Sequence, residues 1–295
     1  MNKYAIIMTA TGDYLPGVNG TLNALRYYGY SEDVEFHLLY SPSPEMEDYC
    51  NAIKRRSVWP GFVPVDINGL KAAGYSHPER QKRYMLHFYR WEYAVKELID
   101  YDAVMIMDAD ELIVNNFEEW FEFAATTNRL IMTNNDRSRL EKEDLFKRML
   151  ENRESRGTAL HSHPTFFRPA AHAGLIGDFI GHSVGYSDQL NLSRALVRTG
   201  EIRGTFVMPC LLWLQNKSRE VIRLCQREVA GKRYIALFDT GDRINMFHKP
   251  WWTCNAIDAE GRPEITAHNI KLFYDFYKYF NTELDFIIPW EWSWE

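Results

Sequence analysis

The chain has 295 residues, 46% of them hydrophobic and 25% charged, which suits a large α/β domain with a substantial core. Its 34 basic residues against 40 acidic ones give a net charge of −6, which argues against a nonspecific nucleic-acid binder, whose affinity for the phosphate backbone comes from Lys and Arg; a local basic patch is left open. No apolar stretch approaches the ~20 residues that span a bilayer, and Cys50, Cys210, Cys225 and Cys254 lack any paired spacing, so the pattern excludes a zinc ribbon, offers no disulfide framework and fits a reducing cytoplasm.

Tyr4 to Thr9 is a short apolar run that reads as a first strand and not as a signal peptide. A turn-rich loop follows (Gly12, Asp13, Pro16, Gly17), then a helix over Val18 to Tyr28 with Val18, Leu22 and Leu25 at helical spacing. Val34 to Tyr40 and Phe62 to Ile67 read as further strands. Tyr84, Phe88, Trp91, Val95 and Leu98 recur at helical intervals, which predicts an amphipathic helix ending near Asp100. Directly after it, Ala103 to Met107 is wholly apolar, the signature of a buried parallel strand.

Arg129 to Thr133 predicts another strand, Ser138 to Arg153 a charged exposed helix, and His161 to Gly185, which lacks a clean period, a loop-rich stretch near the site. Asp188 reads as the cap of a helix beginning near Gln189. Ile202 to Leu214 and Tyr234 to Phe238 read as strands, Ile270 to Phe280 as an aromatic helix, and the tail carries Trp290, Trp292 and Trp294. Strand–helix–strand alternation predicts an α/β fold with a Rossmann-type, mostly parallel central sheet flanked by helices, whose ligands bind beyond the carboxyl ends of the strands.

The acidic cluster Asp108-Ala109-Asp110-Glu111 falls at such an end. Residues i and i+2 of a strand point the same way, so the carboxylates of Asp108 and Asp110 can reach one point. Two hard oxygen ligands suit Mn²⁺ or Mg²⁺, which complete their shells with water and substrate phosphates. Such an ion neutralises the charge that builds on a diphosphate leaving group. An Asp-x-Asp alone is a common solvated turn, and it is the apolar strand before it that favours the metal reading.

Four stretches resemble family-eight retaining glycosyltransferases, the glycogenin and lipooligosaccharide galactosyltransferase group with a GT-A fold. Thr9-Ala10-Thr11-Gly12-Asp13-Tyr14-Leu15-Pro16-Gly17 resembles the family's opening strand and nucleotide loop. The resemblance implies that Thr9 and Thr11 contact the nucleotide and that Tyr14 stacks on uracil. The helix and strand ending in Asp108-Ala109-Asp110, with Leu112-Ile113-Val114 beyond, resemble the family's metal segment, with Ala109 against the nucleotide. They also imply a basic donor contact early in the helix, with Arg83 and Arg90 both candidates.

Ala171-His172-Ala173-Gly174-Leu175-Ile176 and Ser187-Asp188-Gln189-Leu190-Asn191 resemble the family's Asn-Ala-Gly and Asp-Gln-x-x-Asn segments, with His172 in place of Asn. The resemblance puts Asp188 on the sugar hydroxyls and Gln189 near the reacting carbon, the two catalytic candidates. Met246-Phe247-His248-Lys249-Pro250-Trp251 resembles the closing segment, in which a His ligates the metal and a Lys meets the diphosphate. His248 abuts Lys249 without the family's intervening Gly: either His248 still ligates through a rebuilt loop, or the loop is shortened and one role is lost.

The resemblance implies a UDP-sugar donor, Mn²⁺ (or Mg²⁺) and retention of anomeric configuration in a single glycosyltransferase domain spanning 1–295. Its nucleotide-sugar half covers 1–115, its acceptor half 116–260, and a C-terminal helix with an aromatic tail 261–295. Same-face attack is favoured over a covalent intermediate, since no well-placed carboxylate nucleophile stands out. A saccharide or glycolipid acceptor leads, ahead of a protein side chain and a modified nucleic-acid base. A sugar-nucleotide nucleotidyltransferase would carry Lys or Arg in its first loop, and Thr9 to Gly17 has neither. A non-catalytic carbohydrate binder explains the aromatics but not the acidic cluster with Asp188-Gln189 and Lys249-Pro250-Trp251 downstream.

Overall fold

A computed structural model describes residues 2–75, 86–133, 147, 149, 151, 160–184, 188–208, 213–215 and 224–248. In chain order these form β1 (Tyr4–Ala10), α1 (Leu15–Tyr27), β2 (Val34–Tyr40), α2 (Pro44–Arg56), β3 (Phe62–Asp66), α3 (Ile67–Ala72), α4 (Leu86–Lys96), β4 (Ala103–Asp108), β5 (Glu111–Ile113) and α5 (Glu119–Thr127). They continue with β6 (Ile131–Thr133), β7 (His161–Phe167), α6 (Pro169–Gly181), α7 (Asp188–Thr199), β8 (Phe206–Met208), β9 (Trp213–Gln215), β10 (Leu224–Val229), β11 (Lys232–Leu237) and β12 (Met246–His248). Of the helix expected over 138–153 only residues 147, 149 and 151 are described, the first two of them helical; the helix expected over 270–280, the tryptophan tail, Arg83 and Lys249 lie outside the described residues.

The chain divides into two compact units. The first comprises Met1–Gly12, Glu32–Asp108 and Glu118–Pro209. Its seven-stranded sheet has the order β3-β2-β1-β4-β7-β6-β8. Four strands, β3 to β4, run parallel, β7 is antiparallel to both of its neighbours, and β8 is parallel to β6. The α/β class with a mostly parallel sheet is therefore as the sequence predicts.

The local causes are ordinary ones. α2 opens at Ser43, whose side chain accepts a hydrogen bond from the Met46 amide at 3.2 Å, and Pro44 occupies the first turn. Glu45 and Glu47 then face the positive end of the helix dipole and Lys54, Arg55 and Arg56 the negative end. β4 forms because Ala103 to Met107 is apolar throughout and buried on both faces.

Several expectations need correction: Pro16 and Gly17 belong to α1 and not to the loop before it, and Ile202, expected in a strand, lies in a 3₁₀ turn (Glu201–Arg203). α4 is not a one-sided amphipathic helix, because every residue from Phe88 to Ala94 is buried. Phe88 stacks on Phe179 of α6 at 5.3 Å and Trp91 on Phe167 of β7 at 5.7 Å, so α4 is packed on several sides. The stretch 161–185 is not a loop: it holds the strand β7 and the thirteen-residue helix α6. All of β7 is buried, so it shows no polar–apolar alternation, and Pro164 within it argues against a strand in the sequence.

The second unit comprises Asp13–Ser31, Ala109–Phe117 and Cys210–Glu295. α1 packs on β5, which lies in a three-stranded sheet of order β5-β12-β9. The Tyr30 hydroxyl donates to the Asn115 carbonyl at 3.0 Å and accepts from the Phe117 amide at 3.2 Å, which fastens the segment after α1 to the one after β5. β10 and β11 form an antiparallel ribbon whose turn residues, Ala230 and Gly231, have φ of 52° and 77°. Positive φ at both turn positions matches the right-handed twist of a hairpin, with glycine meeting it at no steric cost.

Candidate active site

β4 delivers Asp108 to the carboxyl edge of the parallel strands, directly across from Thr9 of β1. Three other elements of the same unit send side chains to it. Arg90, on α4, is fully buried. Its Nη1 donates to Asp108 Oδ1 and, at 3.1 Å, to the Met107 carbonyl; its Nη2 donates to Asp188 Oδ2 at 2.9 Å. Asp188 opens α7, and its other oxygen accepts from the Gln189 amide at 2.8 Å. From β7, His163 Nε2 lies 2.8 Å from Asp108 Oδ2. His87, one turn before Arg90, places Nδ1 3.9 Å from Asp108 Oδ1, and with its side chain 33% exposed it forms the open side of the cluster.

A buried guanidinium is tolerable only when its charge is met, and two carboxylates meet it here. Burial by itself would raise the Asp108 carboxyl, but His163, Arg90 and His87 hold it well below the ordinary carboxylate range. Asp188 is likewise pushed up by burial and brought below its usual value, chiefly by Arg90. The Arg90 pKa, which burial would lower, is raised by the two carboxylates. All three groups are therefore charged at neutral pH. The histidines aside, the two carboxylates outweigh the guanidinium by one negative charge.

Among the described residues, Arg90 Nε and Gln189 Nε2 are buried without a hydrogen-bond partner. Buried polar atoms of native proteins are nearly always paired, so two such donors in one cluster call for something to meet them.

The structure brings together Arg90, Asp108 and Asp188, with Gln189 adjoining and Thr9 beside Asp108 in the sheet. Thr11 follows β1, and Tyr14 ends a single 3₁₀ turn (Gly12–Tyr14) before α1. Ala109 and Asp110 form the turn between β4 and β5, and both are buried. In the second unit, the backbone of His248 pairs with Glu111, the residue immediately after Asp110.

Ala171 to Ile176 lie within α6, where His172 is tied to Glu201 by a 2.7 Å contact from Nδ1. The cluster's histidines, His163 and His87, escaped the sequence reading. His163 sits in the stretch taken for a loop. A signal for His87 was present, since it stands three residues before Arg90 and so shares its helix face.

No protein-family model matches the chain, and no curated protein sequence does. Solved structures do match. WbbM, a bifunctional glycosyltransferase in its apo form, aligns with a TM-score of 0.60 at 9% identity, over 95% of this chain and 49% of its own. The galactosyltransferase LgtC, in complex with donor and acceptor sugar analogues, aligns at 0.54 with 13% identity, over 96% of this chain and 97% of its own. An active-site mutant of LgtC gives 0.58 at 12% identity over the same shares. The chain thus spans about half the length of WbbM and nearly all of LgtC. It has the fold of these glycosyltransferases, the GT-A type to which the motifs pointed.

Proposed function

We propose that the chain is a metal-dependent glycosyltransferase that moves a hexose from a UDP-sugar to an acceptor hydroxyl with retention of configuration. The observation that carries the proposal is the Arg90-linked pair Asp108 and Asp188 at the carboxyl edge of the parallel strands, in a fold shared with sugar transferases.

The donor set fits Mn²⁺ or Mg²⁺. A carboxylate offers about four lone-pair sites, so Asp108 can accept from Arg90 and His163 and still ligate. Among the described residues no group of three or more His, Cys, Asp or Glu side chains forms a ready cage. Such an ion takes one or two carboxylates from the protein and the remainder from phosphate and water. Asp108 and Asp110 would hold it together with His248. Bound there, it would neutralise the charge of the departing diphosphate.

The chain's own residues would do the rest. Thr9, Thr11, Tyr14 and Ala109 would line the nucleotide, and Lys249 would meet the diphosphate. Asp188 is ionised but has both oxygens engaged, by Arg90 and by the Gln189 amide. A carboxylate so committed is a poor nucleophile and a good fixed acceptor, so its role would be to hold sugar hydroxyls. The Gln189 Nε2 donor would turn to the reacting sugar. With Asp188 so engaged, retention would follow from attack on the face that the diphosphate leaves, the leaving phosphate oxygen taking the acceptor's proton. The acceptor would be an oligosaccharide or glycolipid.

Calorimetric titration with UDP, UDP-glucose and UDP-galactose, with and without Mn²⁺, tests the donor site. Binding should require the metal, and Asp110→Ala should lower donor hydrolysis by about 10²–10³-fold, the scale of losing one electrostatic contact to a transition state. A folded protein that binds no UDP species would refute the donor assignment.

A further inference from the structure

The transfer chemistry set out above uses Asp108 but asks for no histidine beside it, and yet His163 reaches it from β7, a strand antiparallel to β4. The placement of His163 is fixed from several sides. His161 Nδ1 donates to the His163 carbonyl at 3.0 Å, and Thr133 Oγ1 donates to the same oxygen at 3.4 Å. The two imidazoles meet edge to face, their centroids 4.4 Å apart at 88°. The His163 side chain is 9% exposed, so water does not compete freely for its ring nitrogen.

An ionised carboxylate only accepts, so the hydrogen between His163 Nε2 and Asp108 Oδ2 is carried by the imidazole. Arg90 donates to Oδ1 from α4 while His163 donates to Oδ2 from β7. A carboxylate held by one oxygen can still rotate about its Cβ–Cγ bond; held by both, from opposite elements, it cannot. Ligating carboxylates are generally oriented by such outer hydrogen bonds, and losing one costs affinity for the metal.

We infer that His163 is a positioning residue: its Nε2–H fixes the plane of the Asp108 carboxylate, so that the remaining lone pairs face the metal–diphosphate of the donor. The inference rests on the proposed transferase function and adds to it a residue that touches neither sugar nor nucleotide.

The test is Mn²⁺ titration of UDP binding by calorimetry, with thermal midpoints measured in parallel, on wild type, His163→Leu, His163→Asn and His163→Gln. A Gln amide nitrogen reaches the position of Nε2, whereas that of Asn stops at the position of Nδ1. His163→Leu and His163→Asn should raise the Mn²⁺ concentration needed for half-saturation by about 10–100-fold. His163→Gln should stay close to wild type. If His163→Leu fails to fold, the Asn and Gln pair decides alone.

Folded Leu and Asn variants with wild-type metal dependence would overturn the inference and leave the transferase reading intact. Equal impairment of Gln, Asn and Leu would overturn it too, because the ring and not its hydrogen would then be what matters. Wild type with no metal-dependent UDP binding would bring down the functional reading first and the inference with it.

Discussion

The first unit carries two buried polar networks, one at each edge of its sheet, and they are built on different terms. At the amino edge, His37 of β2 joins Tyr93 (Nδ1 to hydroxyl, 3.0 Å) and Glu35 (Nε2 to Oε2, 2.8 Å). The Tyr101 hydroxyl donates to the same Glu35 oxygen at 2.5 Å. Neutral groups there serve one carboxylate, and a side-chain tie between β2 and α4 is the result. At the carboxyl edge, Asp108 and Asp188 share one guanidinium, His163 meets Asp108 alone, and Arg90 Nε and Gln189 Nε2 stay buried without partners among the described residues. A satisfied, mostly neutral network fastens a fold together. One with an unmatched carboxylate and leftover donors has the capacity to engage a ligand, and that is the physical difference between the two edges.

The largest effect should come from removing the guanidinium. Arg90→Leu leaves Asp108 and Asp188 facing each other in the interior without a cation, and breaking a buried ion pair in this way costs about 3–5 kcal/mol. Urea denaturation should show the loss as a lower midpoint with an unchanged slope. A loss below about 1 kcal/mol, the worth of an exposed ion pair, would mean that solvent already reaches the cluster and that the contrast between the two edges is overstated.

The two networks should also part with pH. His37 has its pKa lowered from the ordinary 6.5, because burial disfavours its charged form more than Glu35 favours it. The unfolded chain therefore takes up this proton more readily, and stability is lost as pH falls below about 6.5. Asp108 and Asp188 are depressed from 3.8, so their contribution is full above that value and fades only as pH falls through their lower folded values. Thermal midpoints from pH 8 to 3 should decline in two stages. His37→Gln should remove the first stage and leave the second; a single stage below pH 4 would show that the His37 pocket is wetter than its burial implies.

The parallel half of the sheet and Asp108 were legible in the sequence because one short segment encodes them: a helical period, a five-residue apolar run, then the acids. The helix Pro44–Arg56 was missed, although Ser43-Pro44 and the closing Lys54-Arg55-Arg56 are start and stop signals. β7 was not legible, since a buried strand has no alternation and Pro164 speaks against one. The pairing of β5 with β12 joins residues more than a hundred positions apart, and three-residue strands leave too little pattern to be found. The Arg90–Asp188 bond is hidden for a similar reason, spanning 98 positions with nothing local to announce it; the motif resemblance, not the period, singled out both residues.

The smallest effect sharpens the contrast from the other side. Tyr101→Phe deletes the hydroxyl that donates to Glu35 and leaves the ring, which packs edge-on against His37 at 6.1 Å. Glu35 keeps its contact with His37 and, with its side chain 34% exposed, can recruit water in place of the lost donor. The cost should therefore be that of one net hydrogen bond, about 1 kcal/mol. UDP affinity and its Mn²⁺ dependence should not move, because the change lies at the amino edge while Asp108 ends β4 at the other. A Tyr101→Phe protein that folds normally but binds donor less well would show that strain crosses the sheet along β4, and the two networks would then have to be treated as one coupled system.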